Sequence, residues 1–333
     1  MLLQRHAKKI IVFLITLLVT TIAAFIWITS RRQPVLGIVS PLSDETKLKA
    51  EEYRVIFDKK TTQNYPPNHF FPPSLTPKFN DELNIAAKAY AVMDRQTGEL
   101  LLARSITQEL PIASLTKIMT AVVALEQADL NLELQVSSAA ASIGEASMGL
   151  TPGESVTVEE LLYGMMLPSG NDAAEVLAAG LGTGRDAFIT SMNHKAQDLG
   201  MFDTYFYNPT GLDEETREKS NFSTTLDLLG LTNYALTNPK FAEIVASHYK
   251  EFPYVVDKHK AFYLGNILQL DWSYPGIKGV KPGVTDFAGE TLVSYAENGG
   301  RQLILVLLGT PYSKDEAVKV YDYIFPKLGL KVH

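Results

Sequence analysis

Three short stretches of this chain carry residue types that could move a proton or form a covalent bond. The first is Ser114-Leu115-Thr116-Lys117. On a helix, positions i and i+3 share a face, so a serine hydroxyl and a lysine amine can meet. A hydroxyl is a weak nucleophile that needs an adjacent base. Lysine is that base only where burial or nearby positive charge lowers its pKa. The same spacing recurs at Ser247 and Lys250, so taken alone it reads as a solvated surface pair. The second stretch is Ser169-Gly170-Asn171, inside Met166-Leu167-Pro168 and Asp172-Ala173-Ala174. By itself it is a turn that caps a helix, since Ser, Gly and Asn favour that position. The third is Gly279-Val280-Lys281-Pro282-Gly283-Val284-Thr285-Asp286-Phe287-Ala288-Gly289. Alone it is a basic strand ending in a glycine turn. Pro282 puts that strand at a sheet edge, because proline cannot donate to a ladder.

The elements around these stretches would set their positions. Ala89–Met93 reads as a strand, Gln96-Thr97-Gly98 as a turn and Glu99–Arg104 as the returning strand. Ser114–Gln127 reads as a helix with Ile118, Val122 and Leu125 on one face. Thr157-Val158-Glu159-Glu160 is a capping box opening a helix that ends near Leu167. Further helices are expected at Asn171–Ala179, Arg185–Leu199 and Thr224–Leu236. Strands return at Gly276–Val284, Glu290–Glu297 and Gln302–Leu308. Asn298-Gly299-Gly300 makes a hairpin turn, and a last helix covers Asp315–Phe325. Strands, a block of helices, then an antiparallel meander and a helix give an α+β class with the terminal strands in one sheet.

Composition removes several functions. The 333 residues can bury a large core, and a net charge of −7 without a basic run leaves no footprint for nucleic acid. With no cysteine, disulfides and thiolate metal sites are excluded. His194, His248 and His259 lack metal-ligand spacing, so no metal is expected. Asp94 and Asp213 read as turn caps, and Tyr205, Phe206 and Tyr207 as packing. Ile10–Ser30 is an uncharged, mostly apolar run flanked by Arg5, Lys8, Lys9, Arg31 and Arg32. Its length suits a spanning helix better than the shorter apolar core of a signal peptide. The expected organisation is a cytoplasmic tip and transmembrane anchor at 1–32, an extracytoplasmic linker at 33–82 and a catalytic domain at 83–333. The linker is proline-rich, with a candidate short helix from Asp44 to Tyr53.

The three stretches in this order form the signature set of penicillin-binding proteins and serine β-lactamases. The surroundings resemble one branch, the low-molecular-mass D-alanyl-D-alanine carboxypeptidases. Pro111–Thr120 looks like their nucleophile segment. Leu199-Gly200-Met201, Thr204, Phe206, Asn208, Gly211-Leu212-Asp213, Ser223-Thr224 and Asp227-Leu228 look like their central segment. The resemblance spans about residues 84–312. It implies a β-lactamase/transpeptidase-like fold, an antiparallel sheet flanked by helices plus a helical subdomain, with a cleft between. It also implies a serine-type hydrolase without cofactors that trims peptidoglycan stem peptides outside the cytoplasm and is acylated by β-lactam antibiotics. Ser114 would be the nucleophile and Lys117 its base. Ser169 would pass a proton to the leaving D-alanine, and Asn171 would orient Lys117 and hold a substrate amide. Lys281 would attract the substrate carboxylate. Gly283 and Val284 would line the substrate, with the Ser114 and Val284 amides forming the oxyanion hole.

One departure stands out. The family usually has Thr or Ser after the motif lysine, and Pro282 stands there. That weakens the expected grip on the terminal carboxylate. Alternative readings are a D,D-endopeptidase using the same residues, or a weakly active or non-hydrolytic wall-binding relative. The chain also ends soon after residue 325, without the C-terminal β-domain and amphipathic anchor of many relatives. The N-terminal helix would supply a single-pass attachment to the cell membrane.

Overall fold

The computed structural model describes residues 69–80 and 83–331, within the unit Thr62–His333. The Ile10–Ser30 run, the candidate helix from Asp44 to Tyr53 and most of the 33–82 linker lie outside the described residues. Among the described residues no helix is long and apolar enough to cross a membrane.

Strand β1 (Ala89–Asp94) turns back into β2 (Leu100–Arg104). Asp94 makes that turn, its Oδ1 accepting the amides of Gln96 and Thr97 at 2.9 and 3.2 Å. A short strand β3 (Leu110–Pro111) leads into a 3-10 turn, Ala113–Leu115, and helix α1 (Thr116–Gln127). The helical body follows. It holds β4 (Glu133–Gln135), α2 (Ser138–Ala141), β5 (Ser155–Thr157), α3 (Val158–Met166), α4 (Asn171–Gly180) and α5 (Arg185–Leu199). Then come β6 (Phe222–Ser223), α6 (Thr225–Ala235) and α7 (Pro239–Val245). The capping box at Thr157 is formed in both directions, through Glu160. A hairpin of β7 (Tyr249–Phe252) and β8 (Phe262–Gly265) and a short α8 (Leu270–Ser273) lead to the meander. Its strands are β9 (Ile277–Thr285), β10 (Gly289–Asn298) and β11 (Arg301–Thr310), followed by α9 (Ser313–Lys327). Gly299 and Gly300 both have positive φ, 55° and 83°, as the tight β10–β11 turn requires.

The main sheet runs β2-β1-β11-β10-β9 and is antiparallel throughout. The terminal strands meet as expected, Ala89 opposite Leu308 and Asp94 opposite Leu303. Both faces are covered, which is why Leu303–Leu308 is a continuous apolar run rather than an alternating one. Leu303, Leu305 and Leu307 face α9, with Val320, Tyr321, Ile324 and Phe325. Ile304, Val306 and Leu308 face the helical body. Each such aliphatic side chain contributes about 1.5–3 kcal/mol by leaving water.

Two features go beyond the local sequence pattern. Helix α1 buries more than its Ile118 and Val122 face. Thr116–Ala124 is buried on every side, because α3, α4, α5, α6 and α7 pack around it, and only its last turn reaches solvent at Glu126 and Gln127. Asp213 does not cap a local turn. Its carboxylate crosses to the β9–β10 turn, accepting from Thr285 Oγ1 at 2.8 Å and from the Phe287 amide at 2.9 Å.

Candidate active site

Ser114 lies in the 3-10 turn rather than in the α-helix, and Lys117 in the first turn of α1. The spacing still brings them together, with Lys117 Nζ 3.0 Å from Ser114 Oγ. Because α1 is central, its first turn is dry. Lys117 is fully buried, and burial holds its pKa well below the usual lysine range. The positive charge of Lys281 pushes it the same way, against Glu145, Asp172 and Glu175. Lys117 Nζ also donates to Asn171 Oδ1 at 2.8 Å and to the Thr210 carbonyl at 2.7 Å.

That carbonyl is held by a tight turn. Asn208 Oδ1 accepts the Gly211 amide at 2.7 Å and the Thr210 hydroxyl at 3.0 Å. Asn221 ties the turn to α1, donating to Thr116 Oγ1 and to the Asn208 carbonyl, each at 2.9 Å. Only glycine fits at 211, where φ is +86° and a Cβ would fall 1.9 Å from the Ala113 carbonyl oxygen.

Ser169 closes a second side, its Oγ 3.2 Å from Ser114 Oγ. It is buried with φ +66°, a strained conformation for a residue with a Cβ. Neither Ser169 nor Asn171 caps α4. The cap residue is Gly170, without a side-chain bond, and Asn171 is the first helical residue. This frees the Asn171 side chain to bridge Lys117 and the Gly144 carbonyl, the latter at 3.0 Å. The next residue, Asp172, is wholly buried and folds the neighbouring loop. It accepts the amides of Met148, Gly149 and Leu150 at 2.8, 2.9 and 3.0 Å and the Ser147 hydroxyl at 2.7 Å. Glu145, at φ +65°, sits on that loop and lines the cleft.

Edge strand β9 forms the third side. Lys281 is fully buried, its Nζ 3.2 Å from the Pro282 carbonyl, and burial pushes its pKa down to about 7. Lys278 is exposed, so Lys281 is the lysine that faces inward. A Cβ on Gly283 would lie 2.8 Å from both the Ser114 amide and Thr291 Oγ1, which fixes glycine there and brings the strand backbone against Ser114. The cleft holds about 660 Å³. Ser114, Ser169, Asn171, Pro282, Gly283 and Val284 line it, with Ile267, Glu290, Tyr312 and Lys314 on its walls. Thr285 is tied to Asp213 and does not take over for Pro282.

The sequence motifs thus converge on one cleft. Sequence reasoning missed Thr210, Asp172 and Glu145. Thr210 acts through its backbone, which no side-chain pattern reports. Asp172 looked like one more helical residue, and Glu145 sits outside every motif. The histidines have structural partners: His259 Nε2 lies 3.2 Å from Glu160 Oε1, and His248 packs edge-on to Trp272 at 5.6 Å.

The D-alanyl-D-alanine carboxypeptidase family (Peptidase S11) matches residues 76–312. Similar curated proteins include the D-alanyl-D-alanine carboxypeptidase DacF of Bacillus subtilis, 33% identical over 74% of this chain and 64% of that protein. DacB2 of Mycobacterium tuberculosis, also named a D-alanyl-D-alanine carboxypeptidase, is 36% identical over 72% of this chain and 82% of its own length. The chain therefore spans just under two thirds of the first relative and more of the second. Among solved structures, the D-alanyl-D-alanine carboxypeptidase of Mycobacterium tuberculosis matches with TM-score 0.69 and 33% identity, over 76% of this chain and 96% of that one. The Streptomyces K15 DD-transpeptidase matches with TM-score 0.68 and 32% identity, over 74% and 100%.

Proposed function

Since this chain belongs to the D-alanyl-D-alanine carboxypeptidase family, we propose that it is a serine peptidase removing the terminal D-alanine of peptidoglycan stem peptides outside the cytoplasm. The observation that carries the reading is the set of partners around Lys117. Asn171 Oδ1 and the Thr210 carbonyl only accept, so in the neutral form of the amine they would take its two N–H bonds. The amine lone pair is left for the Ser114 hydroxyl. Burial, with the charge of Lys281, lowers the pKa of that amine and so favours its neutral, proton-accepting form.

In the reaction, Ser114 Oγ attacks the carbonyl carbon of the penultimate D-alanine while its proton passes to Lys117 Nζ. The Ser114 and Val284 amides stabilise the oxyanion, each donor supporting about 10²–10³-fold in rate. The tetrahedral intermediate collapses, breaking the C–N bond. Ser169 Oγ, beside Ser114 Oγ, relays the proton to the departing amine of D-alanine. Water then hydrolyses the Ser114 ester and frees the shortened peptide. A β-lactam would acylate the same oxygen. Pro282 offers no hydroxyl to the terminal carboxylate, so turnover is slow while acylation persists. The run Ile10–Ser30 would hold the domain at the outer face of the membrane.

One experiment tests both parts. Fluorescent penicillin should label the full chain in the membrane fraction, and Ser114→Ala should abolish labelling while leaving the fold intact. Protease added to intact spheroplasts should remove the labelled domain. Labelling that survives in Ser114→Ala sinks the nucleophile, and a protected domain sinks the outward orientation.

A further inference from the structure

The carboxylates of Glu145, Asp172 and Glu175 all raise the pKa of Lys117, but two of them are taken up by protein donors. Asp172 is held by the loop amides and the Ser147 hydroxyl. Glu175 pairs with Arg185, Nε to Oε2 at 2.7 Å and Nη2 to Oε1 at 3.1 Å. Glu145 is exposed, lines the cleft with Ser114, Ser169 and Asn171, and has no hydrogen bond or ion pair among the described residues. The other acidic residues lining the cleft are compensated. Glu290 accepts the Ser313 amide and hydroxyl at 2.8 and 2.7 Å. Asp315 lies in the first turn of α9, where the helix dipole favours a negative charge.

The chain fixes Glu145 where it stands. Its φ is +65°, uncommon for a residue with a Cβ, and such a backbone persists where its surroundings hold it. Here Asn171 holds both flanking carbonyls, that of Gly144 through its side chain at 3.0 Å and that of Ala146 through its amide at 2.8 Å. Asn171 Oδ1 also accepts from Lys117. An unpartnered carboxylate is thereby kept beside the residue that bonds the base, in the cleft that takes the substrate.

We infer that Glu145 is a specificity-determining residue that binds the free side-chain amine of a basic residue placed just before the terminal D-alanyl-D-alanine, an inference that rests on the peptidase reading above. In that reading the substrate carboxylate goes to Lys281 on β9, and Asn171 holds a substrate amide. A carboxylate beside the terminal carboxylate would repel it, so Glu145, which flanks Asn171, acts on the other side of the attacked carbonyl. An ammonium group there forms a charge-assisted hydrogen bond with a carboxylate that the protein leaves unmatched. Acylating the amine removes its charge. Glu145 therefore favours stem peptides whose amine is still free over those in which a cross-link has consumed it.

The test compares two peptides on the full chain, Nα-acetyl-L-lysyl-D-alanyl-D-alanine and its Nε-acetylated form. The ratio of their kcat/KM cancels any general loss of activity in a variant. The wild type should favour the free amine about fivefold, the upper end for a surface ion pair. The difference should lie in KM, because the amine is remote from the reacting bond. Glu145→Gln should bring the ratio near one, Glu145→Asp should keep part of it, and Glu145→Lys should invert it. The wild-type preference should fade between about 0.05 and 0.5 M salt. A wild-type ratio of one overturns the inference. So does a Glu145→Gln protein that loses the same factor on both peptides, which makes Glu145 act through Lys117 instead. If neither peptide releases D-alanine, the peptidase reading fails, and protection of Ser114 against fluorescent penicillin reads the preference in its place. The free amine should then protect at about fivefold lower concentration, and equal or absent protection overturns the inference as well.

Discussion

Leu305 and Lys281 are both fully buried in the same sheet, two strands apart, and they sit in regions built by opposite rules. Around Leu305 the layer between the sheet and α9 is apolar. None of its packed residues has a positive φ, and its polar groups are matched, as in the Tyr321–Ser294 bond at 3.0 Å. Around Lys281 the chain buries two lysines, holds Ser169 and Ala113 at positive φ and brings Gly283 against Ser114. The first arrangement gains stability from each residue. The second spends some of it to hold a nucleophile and a base in low dielectric. The contrast teaches that burial has two uses in one fold, and substitutions should separate them.

The largest effect is expected at the apolar layer. Leu305→Ala should cost about 2–5 kcal/mol in urea unfolding, because it opens a cavity between the sheet and α9. The pH dependence of penicillin acylation should not move. A shifted acylation profile in a folded Leu305→Ala protein would break the separation between the regions.

The next effect has the opposite sign. A lysine with a pKa near 7 when folded and near 10.5 when unfolded binds more protons in the unfolded chain across that interval. Stability therefore rises as pH goes from about 7 to about 10.5, and the burial cost is fully present below about 7. Lys281→Met should raise stability at pH 7 by about 1–4 kcal/mol and lessen that rise, leaving the part that Lys117 contributes. It also removes a positive charge that lowers the pKa of Lys117, so the limb along which acylation increases with pH should shift upward. Urea unfolding at pH 7 and 9.5, with acylation rates on both sides, checks this. A less stable variant would mean that Lys281 is bonded more fully than its contact to the Pro282 carbonyl among the described residues indicates.

The smallest effect sharpens the comparison within the cleft. Pro282 lines it but contributes no donor, so Pro282→Thr should raise kcat/KM for a peptide ending in D-alanyl-D-alanine about tenfold, or ~1.4 kcal/mol. Stability should change little at this edge position. Unchanged or lower kcat/KM in a folded variant would show that another group already holds the carboxylate.

The sequence alone determined the local elements and the order of the chemistry. The Thr157 capping box, the helix Arg185–Leu199, the hairpin at Asn298-Gly299-Gly300 and the edge position of Pro282 all follow from short-range rules of hydrogen bonding and backbone freedom. The Ser114–Lys117 pairing follows from i, i+3 geometry, although a 3-10 turn rather than an α-helix delivers it. Only the tertiary structure decided what surrounds that pair. The Thr210 carbonyl on Lys117, the Asp213 carboxylate on the β9–β10 turn and the Glu145 loop on Asp172 join residues distant in sequence. Each of these three runs at least in part through backbone groups, which every residue carries, so no side-chain pattern could announce them. The burial of Lys117 is likewise a property of where α1 sits. The 3.6-residue period can assign a face to that helix, but only packing by the neighbouring helices buries Thr116–Ala124 on every side.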